Sequence, residues 1–127
     1  MTDGKYKILI VEDDAMISNM YRTKLEHEDV IVLTADNGAQ GLEMAISEKP
    51  DIVLLDIILP QLDGFSVLQE LKQSPATKHI PVIMLTNLGT DEDKDRGERC
   101  GASDYLVKAN LTPTEVSQII KKYLVKK

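Results

Sequence analysis

Residues 52–56 read Ile52-Val53-Leu54-Leu55-Asp56, four apolar residues without alternation closed by a carboxylate. A strand with one wet face alternates in polarity, whereas a strand covered by helices on both faces does not, so this run predicts a strand of a parallel sheet. Four further runs share the pattern: Ile8-Leu9-Ile10-Val11, Val30-Ile31-Val32-Leu33, Val82-Ile83-Met84-Leu85 and the shorter Tyr105-Leu106-Val107. All five are expected to be buried on both faces. Between them the apolar residues fall on a helical rhythm. Ile17, Met20, Tyr21, Lys24 and Leu25 mark a first helix, and Leu42, Ala45 and Ile46 a second, after the turn signal Asn37-Gly38. Gly64, Val67, Leu68 and Leu71 mark a third, which should stop near Ser74-Pro75 because proline disfavours helix at the preceding residue.

The last helix opens at Thr112-Pro113-Thr114-Glu115: a capping hydroxyl, a proline at the first helical position and a glutamate able to reach back. It continues through Val116, Ile119, Ile120, Tyr123 and Leu124, and Lys121, Lys122, Lys126 and Lys127 suit its negative dipole end. The fourth segment, Asp91 to Cys100, is different, with almost no apolar stripe and Gly97 in its interior. It should be the least firmly held, since a helix that buries little rests on propensity and weak surface pairs. Strands alternating with helices through short links imply right-handed crossovers and an open doubly wound α/β sheet.

Composition bounds the function. A chain of 127 residues with 43% hydrophobic and 28% charged residues fits one domain spanning residues 1–127, with no output domain expected after Lys127. A net charge of −6 argues against a non-specific grip on nucleic acid and against anionic membranes. Cys100 is the single cysteine, so no internal disulfide forms, and it is expected to be an inert helix residue. Met1-Thr2-Asp3-Gly4-Lys5 lacks a signal peptide's apolar core, and no apolar run approaches the ~18 residues of a membrane helix. A cytoplasmic protein is expected. His27 and His79, away from any strand end, should be solvated.

The predicted strands end on Glu12-Asp13-Asp14, Asp56, Thr86 and Lys108. In a parallel sheet all carboxyl ends share one edge, where ligands bind. Three carboxylates, a hydroxyl and an ammonium should therefore converge there, with Asp14 free to cap the following helix instead. Carboxylates about 4 Å apart repel by roughly 1 kcal/mol in water and about 4 kcal/mol at an effective dielectric of 20, so the cluster calls for a cation. All-oxygen donors suit Mg²⁺, and zinc is improbable without Cys or His nearby. A metal, an ammonium and a hydroxyl around a carboxylate nucleophile are the groups that phosphoryl transfer needs, with Asp56 the natural acceptor.

These residues resemble the receiver domain of two-component response regulators, the CheY-like family, over essentially the whole chain. The acidic pair is matched by Glu12 and Asp13, the phosphoacceptor by Asp56 in Asp56-Ile57-Ile58-Leu59-Pro60, the strand-end hydroxyl by Thr86, the lysine by Lys108 and the aromatic switch by Tyr105. The resemblance implies a flavodoxin-like five-stranded sheet of order 2-1-3-4-5 with five helices, an order known for CheY itself. It implies Mg²⁺ held by Asp13, Asp56 and the backbone carbonyl of Ile58, with Glu12 acting through a metal-bound water. It further implies phosphoryl transfer to Asp56 from a sensor histidine kinase or phosphotransfer protein. Thr86 and Lys108 would then contact the phosphoryl oxygens, and Tyr105 would turn inward to reshape the face made by the fourth helix, fifth strand and fifth helix. The expected protein is a self-modifying switch rather than a turnover enzyme, monomeric or dimerising on phosphorylation, acting on a downstream protein.

Two positions depart from the pattern. Receivers usually follow the lysine with a cis proline, here Ala109, and a non-proline cis bond costs about 2.5–4 kcal/mol, so the loop is expected to run differently or stay trans. The residue after the hydroxyl is usually small, and Asn87 is expected to narrow the approach to Asp56 or alter the phosphoryl lifetime. Three rivals remain. An aspartyl-phosphate phosphatase of the haloacid-dehalogenase type usually has a second acid where this chain has Ile58, and a cap region. A flavodoxin-like cofactor binder needs a Gly/Ser/Thr-rich phosphate loop where Glu12-Asp13-Asp14 would repel phosphate. A receiver-like module acting by binding alone is the third.

Overall fold

The computed structural model describes residues 6–27 and 30–124; the N-terminal stretch Met1–Lys5 and the last two lysines of the C-terminal cluster, Lys126 and Lys127, lie outside the described residues. Five strands, β1 (Tyr6–Val11), β2 (Val30–Ala35), β3 (Ile52–Leu55), β4 (Val82–Thr86) and β5 (Asp104–Val107), alternate with α1 (Ala15–Glu26), α2 (Gly38–Glu48), α3 (Gly64–Gln73), α4 (Asp91–Arg99) and α5 (Pro113–Leu124). A single 3-10 turn, Lys108–Asn110, follows β5. All strand pairs are parallel and the order is β2-β1-β3-β4-β5, the flavodoxin-like arrangement.

The unalternating runs divide their side chains between two cores. Leu9, Val11, Val53, Leu55 and Met84 pack with Phe65, Leu68 and Leu71 of α3, whereas Ile8, Ile10, Leu54 and Ile83 pack with Tyr21 and Leu25 of α1 and Ile120 and Leu124 of α5. Every residue of β3 and β4 is buried. Burial on both faces does not hold for the outer strands: Ile31 of β2 is 42% exposed, and only Leu106 of β5 is buried. Each is an edge with one neighbour, where helix cover thins out.

The predicted faces of α1 and α2 hold at Tyr21, Leu25 and Ala45, but Met20 and Ile46 fall outside them. In α1 the buried residues are Ser18, Tyr21 and Leu25, and Met20 is 44% exposed. In α2 they are Gly38, Gly41 and Ala45, and Ile46 is exposed. α2 runs so close to β1 that a Cβ at Gly41 would stand 2.8 Å from the Val11 methyls, and a Cβ at Gly38 would meet the Leu62 backbone, so glycine is needed at both. The Asn37-Gly38 signal is a helix start rather than a free turn, Asn37 Oδ1 accepting from the Gln40 amide at 2.8 Å. The other ends follow expectation. Asp14 caps α1 through the Met16 and Ile17 amides, α3 stops at Ser74 before Pro75, and Thr112 and Glu115 make the reciprocal capping box at the start of α5. α4 has only Gly97 buried, although its acidic first turn, basic last turn and Thr90 cap favour helix.

Gly64, the first residue of α3, sits where the chain leaves β3. Its amide donates to the Ile57 carbonyl at 2.8 Å, and a Cβ there would lie 2.2 Å from the Asp56 carbonyl oxygen. Glycine alone lets α3 start this close to the end of β3.

Candidate functional site

The ends of β1, β3 and β5 bring Glu12, Asp56 and Lys108 together. Both carboxylates are buried among apolar strand ends, and burial raises the Glu12 carboxyl above its ordinary value despite the Lys108 ammonium and the Asp14 amide, which donates to Oε2 at 3.1 Å. The Asp56 carboxylate is held from both sides. Oδ1 accepts from the Ile57 amide at 2.7 Å and the Ile58 amide at 3.4 Å, and Oδ2 accepts from Lys108 Nζ at 2.8 Å. Lys108 Nζ also donates to Glu12 Oε1. Burial pulls the lysine down, but its bonds to Asp56 and Glu12 outweigh that and hold its pKa above the ordinary lysine value.

Asp13 completes the cluster. Glu12, Asp13 and Asp56 each offer an oxygen within 4.8 Å of the others, with Asp13 exposed and the other two buried. Carboxylate oxygens keep lone pairs beyond the bonds they accept, so this all-oxygen set fits a hard divalent cation. A cavity of about 380 Å³ opens beside Glu12 and Asp13 and is lined also by Ser18, Thr34 and Asp36. The Ile58 amide reaches Asp56, which puts that residue's backbone at the rim, and the residue is 60% exposed.

Thr86 ends β4 fully buried, and its hydroxyl accepts from the Leu88 amide at 3.4 Å rather than meeting Asp56. Tyr105, half-buried on β5, donates its hydroxyl to the Leu88 carbonyl. Its ring lies against α4 at Gly97, where a Cβ would be 2.9 Å from the ring. Gly97 is therefore more than a weak point in the helix; it is the seat of the tyrosine. Leu88 thus binds both Thr86 and Tyr105, a role the sequence could not signal because only its backbone atoms act. Tyr21 of α1 adds a buried phenol near the cluster, whose ionisation is opposed by burial and partly favoured by the Lys108 ammonium.

Burial, with the charges of Asp93 and Asp56 adding to it, pushes the Tyr105 phenol up to about 12. A folded-state value above the unfolded value of 10 means stability that is present below pH 10 and lost as pH rises through 12. The partly exposed ring reduces the effect to on the order of 1 kcal/mol. Urea unfolding at pH 7 and pH 11 should therefore show a smaller alkaline loss in Tyr105→Phe than in the wild type, Lys108 contributing the same loss to both. Equal losses would dismiss the phenol as a contributor.

The two departures from the receiver pattern meet each other. No described peptide bond is cis, so Lys108-Ala109 is trans, and the Ala109 amide donates to Asn87 Oδ1 at 3.1 Å. The Asn87 amide group is thus engaged with the neighbouring loop. His27 and His79 are exposed, and Cys100 caps α4 with its thiol 3.6 Å from Gln69 Nε2. No helix among the described residues is long and apolar enough to cross a membrane.

Comparison with known proteins agrees with this geometry. The family model described as response regulator receiver domain matches residues 8–121. The DNA-binding dual master transcriptional regulator RpaA of Synechocystis is 40% identical over 90% of this chain and 46% of its own length. The response regulator PleD of Caulobacter vibrioides is 42% identical over 80% of this chain and 22% of its own length, so the chain spans half or less of these relatives. The crystal structure of a putative response regulator from Chloroflexus aurantiacus superposes with a TM-score of 0.88 at 32% identity, covering 95% of this chain and 98% of the other. A receiver fold, a receiver sequence and an acidic cluster at the carboxyl edge of the sheet agree, and the chain belongs to the response regulator receiver domain family.

Proposed function

We propose that this chain is a phosphorylation-dependent signalling switch in which Asp56 accepts a phosphoryl group from the phosphohistidine of a sensor histidine kinase or phosphotransfer protein, with Mg²⁺ as the cofactor. The observation that carries it is the buried Asp56 carboxylate, fixed by two amides and an ammonium, within 4.8 Å of the oxygens of Glu12 and Asp13. Asp13, Asp56 and the Ile58 carbonyl would hold the cation, with Glu12 acting through a bound water, and the cation would supply neutralising charge for the phosphoryl oxygens.

The chain's own residues do the rest. A carboxylate oxygen of Asp56 attacks phosphorus, the phosphorus–nitrogen bond of the donor breaks, and the donor imidazole leaves with the electron pair and takes up a proton. The Ile57 and Ile58 amides hold the carboxylate in one orientation, which removes the entropy of aligning the nucleophile. Lys108, already bonded to Asp56, faces the charge that develops on the transferred group. Thr86 offers its hydroxyl once it shifts towards the acyl phosphate, and Leu88, bonded to both Thr86 and Tyr105, moves with it. Tyr105 rests on α4, so the change passes to the face of α4, β5 and α5, where a downstream protein reads it. α4 buries only Gly97, so a small differential interaction suffices to shift it.

The reading is of a self-modifying switch, without turnover of a separate substrate. The DNA binding named for RpaA belongs to that protein, and at a net charge of −6 this chain is read as acting through protein contacts.

The test is intact-protein mass after incubation with Mg²⁺ and acetyl phosphate, for the wild type beside Asp56→Asn. One phosphoryl adduct that requires Mg²⁺ and is lost in the variant is expected. No adduct in the wild type, with a phosphohistidine donor tried as well, would leave a module that works by binding alone.

A further inference from the structure

The β4–β5 ladder ends at the pair Thr86↔Val107. One residue further, β4 runs into the loop that carries Asn87, and β5 turns into the 3-10 turn that starts at Lys108. The sheet therefore stops holding the chain just where Lys108 must be held. The first amides of a helical turn have no partner within it, and Ala109 is in that position. Its N–H is instead taken by Asn87 Oδ1 at 3.1 Å, across 22 residues of sequence. The side chain of Asn87 thus supplies one more rung to a ladder whose backbone partners have diverged.

We propose that Asn87 is a positioning residue for Lys108. Its bond to Ala109 fixes the turn from which the ammonium reaches Glu12 and Asp56, and it ties that turn to the loop that follows Thr86. Two residue types are needed together: an acceptor long enough at 87, and at 109 a residue with an N–H, which proline lacks. Asn87 and Ala109, the two positions noted above for their identity, are the two partners of this one bond. A shift of Thr86 on phosphorylation would then be passed to Lys108 through Asn87 as well as through the shared phosphoryl group.

The role in phosphoryl transfer rests on the proposed function, so the test has arms that do not depend on it. Proton exchange of the Ala109 amide and of the Lys108 ammonium is followed by NMR in wild type, Asn87→Ala and Asn87→Asp, the last keeping an acceptor oxygen. Asn87→Ala should speed exchange at both sites by about three- to tenfold, the range that one net hydrogen bond spans, and Asn87→Asp should restore protection at Ala109. With acetyl phosphate and Mg²⁺, Asn87→Ala should slow adduct formation by a similar factor, and in an Ala109→Pro background the same substitution should change nothing. Unchanged exchange at Ala109 would overturn the bond, and altered exchange at Ala109 with an unaltered Lys108 ammonium would overturn the positioning role. If the wild type takes no phosphoryl group while both exchange effects appear, the proposed function fails and the positioning of Lys108 stands.

Discussion

Replacing Lys108 with methionine is expected to cost about 3 kcal/mol of stability at pH 7 in the absence of a divalent cation. The Lys108 side chain is 10% exposed and its ammonium is bonded to the carboxylates of Glu12 and Asp56, side chains 5% and 9% exposed, with Asp13 close by. Methionine keeps the bulk of the stem and removes the only cation bonded to the cluster among the described residues. What remains is like charge in a poorly solvated place, which costs more than the pair itself contributes. The pH dependence follows from Glu12. Burial already raises its carboxyl, and without Lys108 the group rises further, so the folded state binds a proton that the unfolded chain releases near 4.5. The deficit should therefore be full above the folded value and shrink as pH falls through it. Adding Glu12→Gln should recover most of the loss at pH 7, and Mg²⁺ should recover part of it by linkage. Urea unfolding of the single and double variants checks this; a single variant as stable as the wild type at pH 7 without metal would refute it.

Gly64→Ala is expected to cost about 3 kcal/mol, the upper end of overpacking effects, because its Cβ would stand 2.2 Å from the Asp56 carbonyl oxygen and 2.6 Å from the Ile57 Cα. Those neighbours are backbone, so relief requires α3 to move away from the end of β3. The same movement would break the 2.8 Å bond from the Gly64 amide to the Ile57 carbonyl and turn the Ile57 amide that orients Asp56. Stability and adduct formation should fall together. Gly41→Ala makes the comparison, since its Cβ would meet the methyls of Val11, at 2.8 Å, and a side chain yields more easily than a carbonyl. Equal losses at the two positions would show that backbone crowding at Asp56 is not the cause.

The sheet was legible because its evidence lies in side-chain type: runs such as Val53-Leu54-Leu55 have no polar face to offer water, and both faces are indeed covered. The edge strands were less so, since a run of apolar residues does not say how many neighbours it will have, and Ile31 shows the difference. The faces of α1 and α2 were legible at Tyr21, Leu25 and Ala45 and not at Met20 and Ile46, for a related reason. Hydropathy weights large residues, whereas close approach selects small ones, and Ser18, Gly38 and Gly41 are buried while Met20 and Ile46 are exposed. At the site, the strand-end rule placed Glu12, Asp56 and Lys108 in one cluster. The roles of Leu88 and of the Ala109 amide were hidden because backbone atoms carry them, and the bond from the Ala109 amide to Asn87 spans 22 residues that no local pattern connects.

Lys108 meets Glu12 across 96 residues and Asp56 across 52, so the cluster is also a record of assembly. A growing chain carries Glu12, Asp13 and Asp56 long before the lysine is made, and the Lys108 bonds to Glu12 and Asp56 form only once β5 docks. Such distant pairings form late in folding because loop closure must precede them. The charge balance of the cluster is therefore completed last, when β5 docks, and a chain cut short before Lys108 would carry the acids without the ammonium that pairs them.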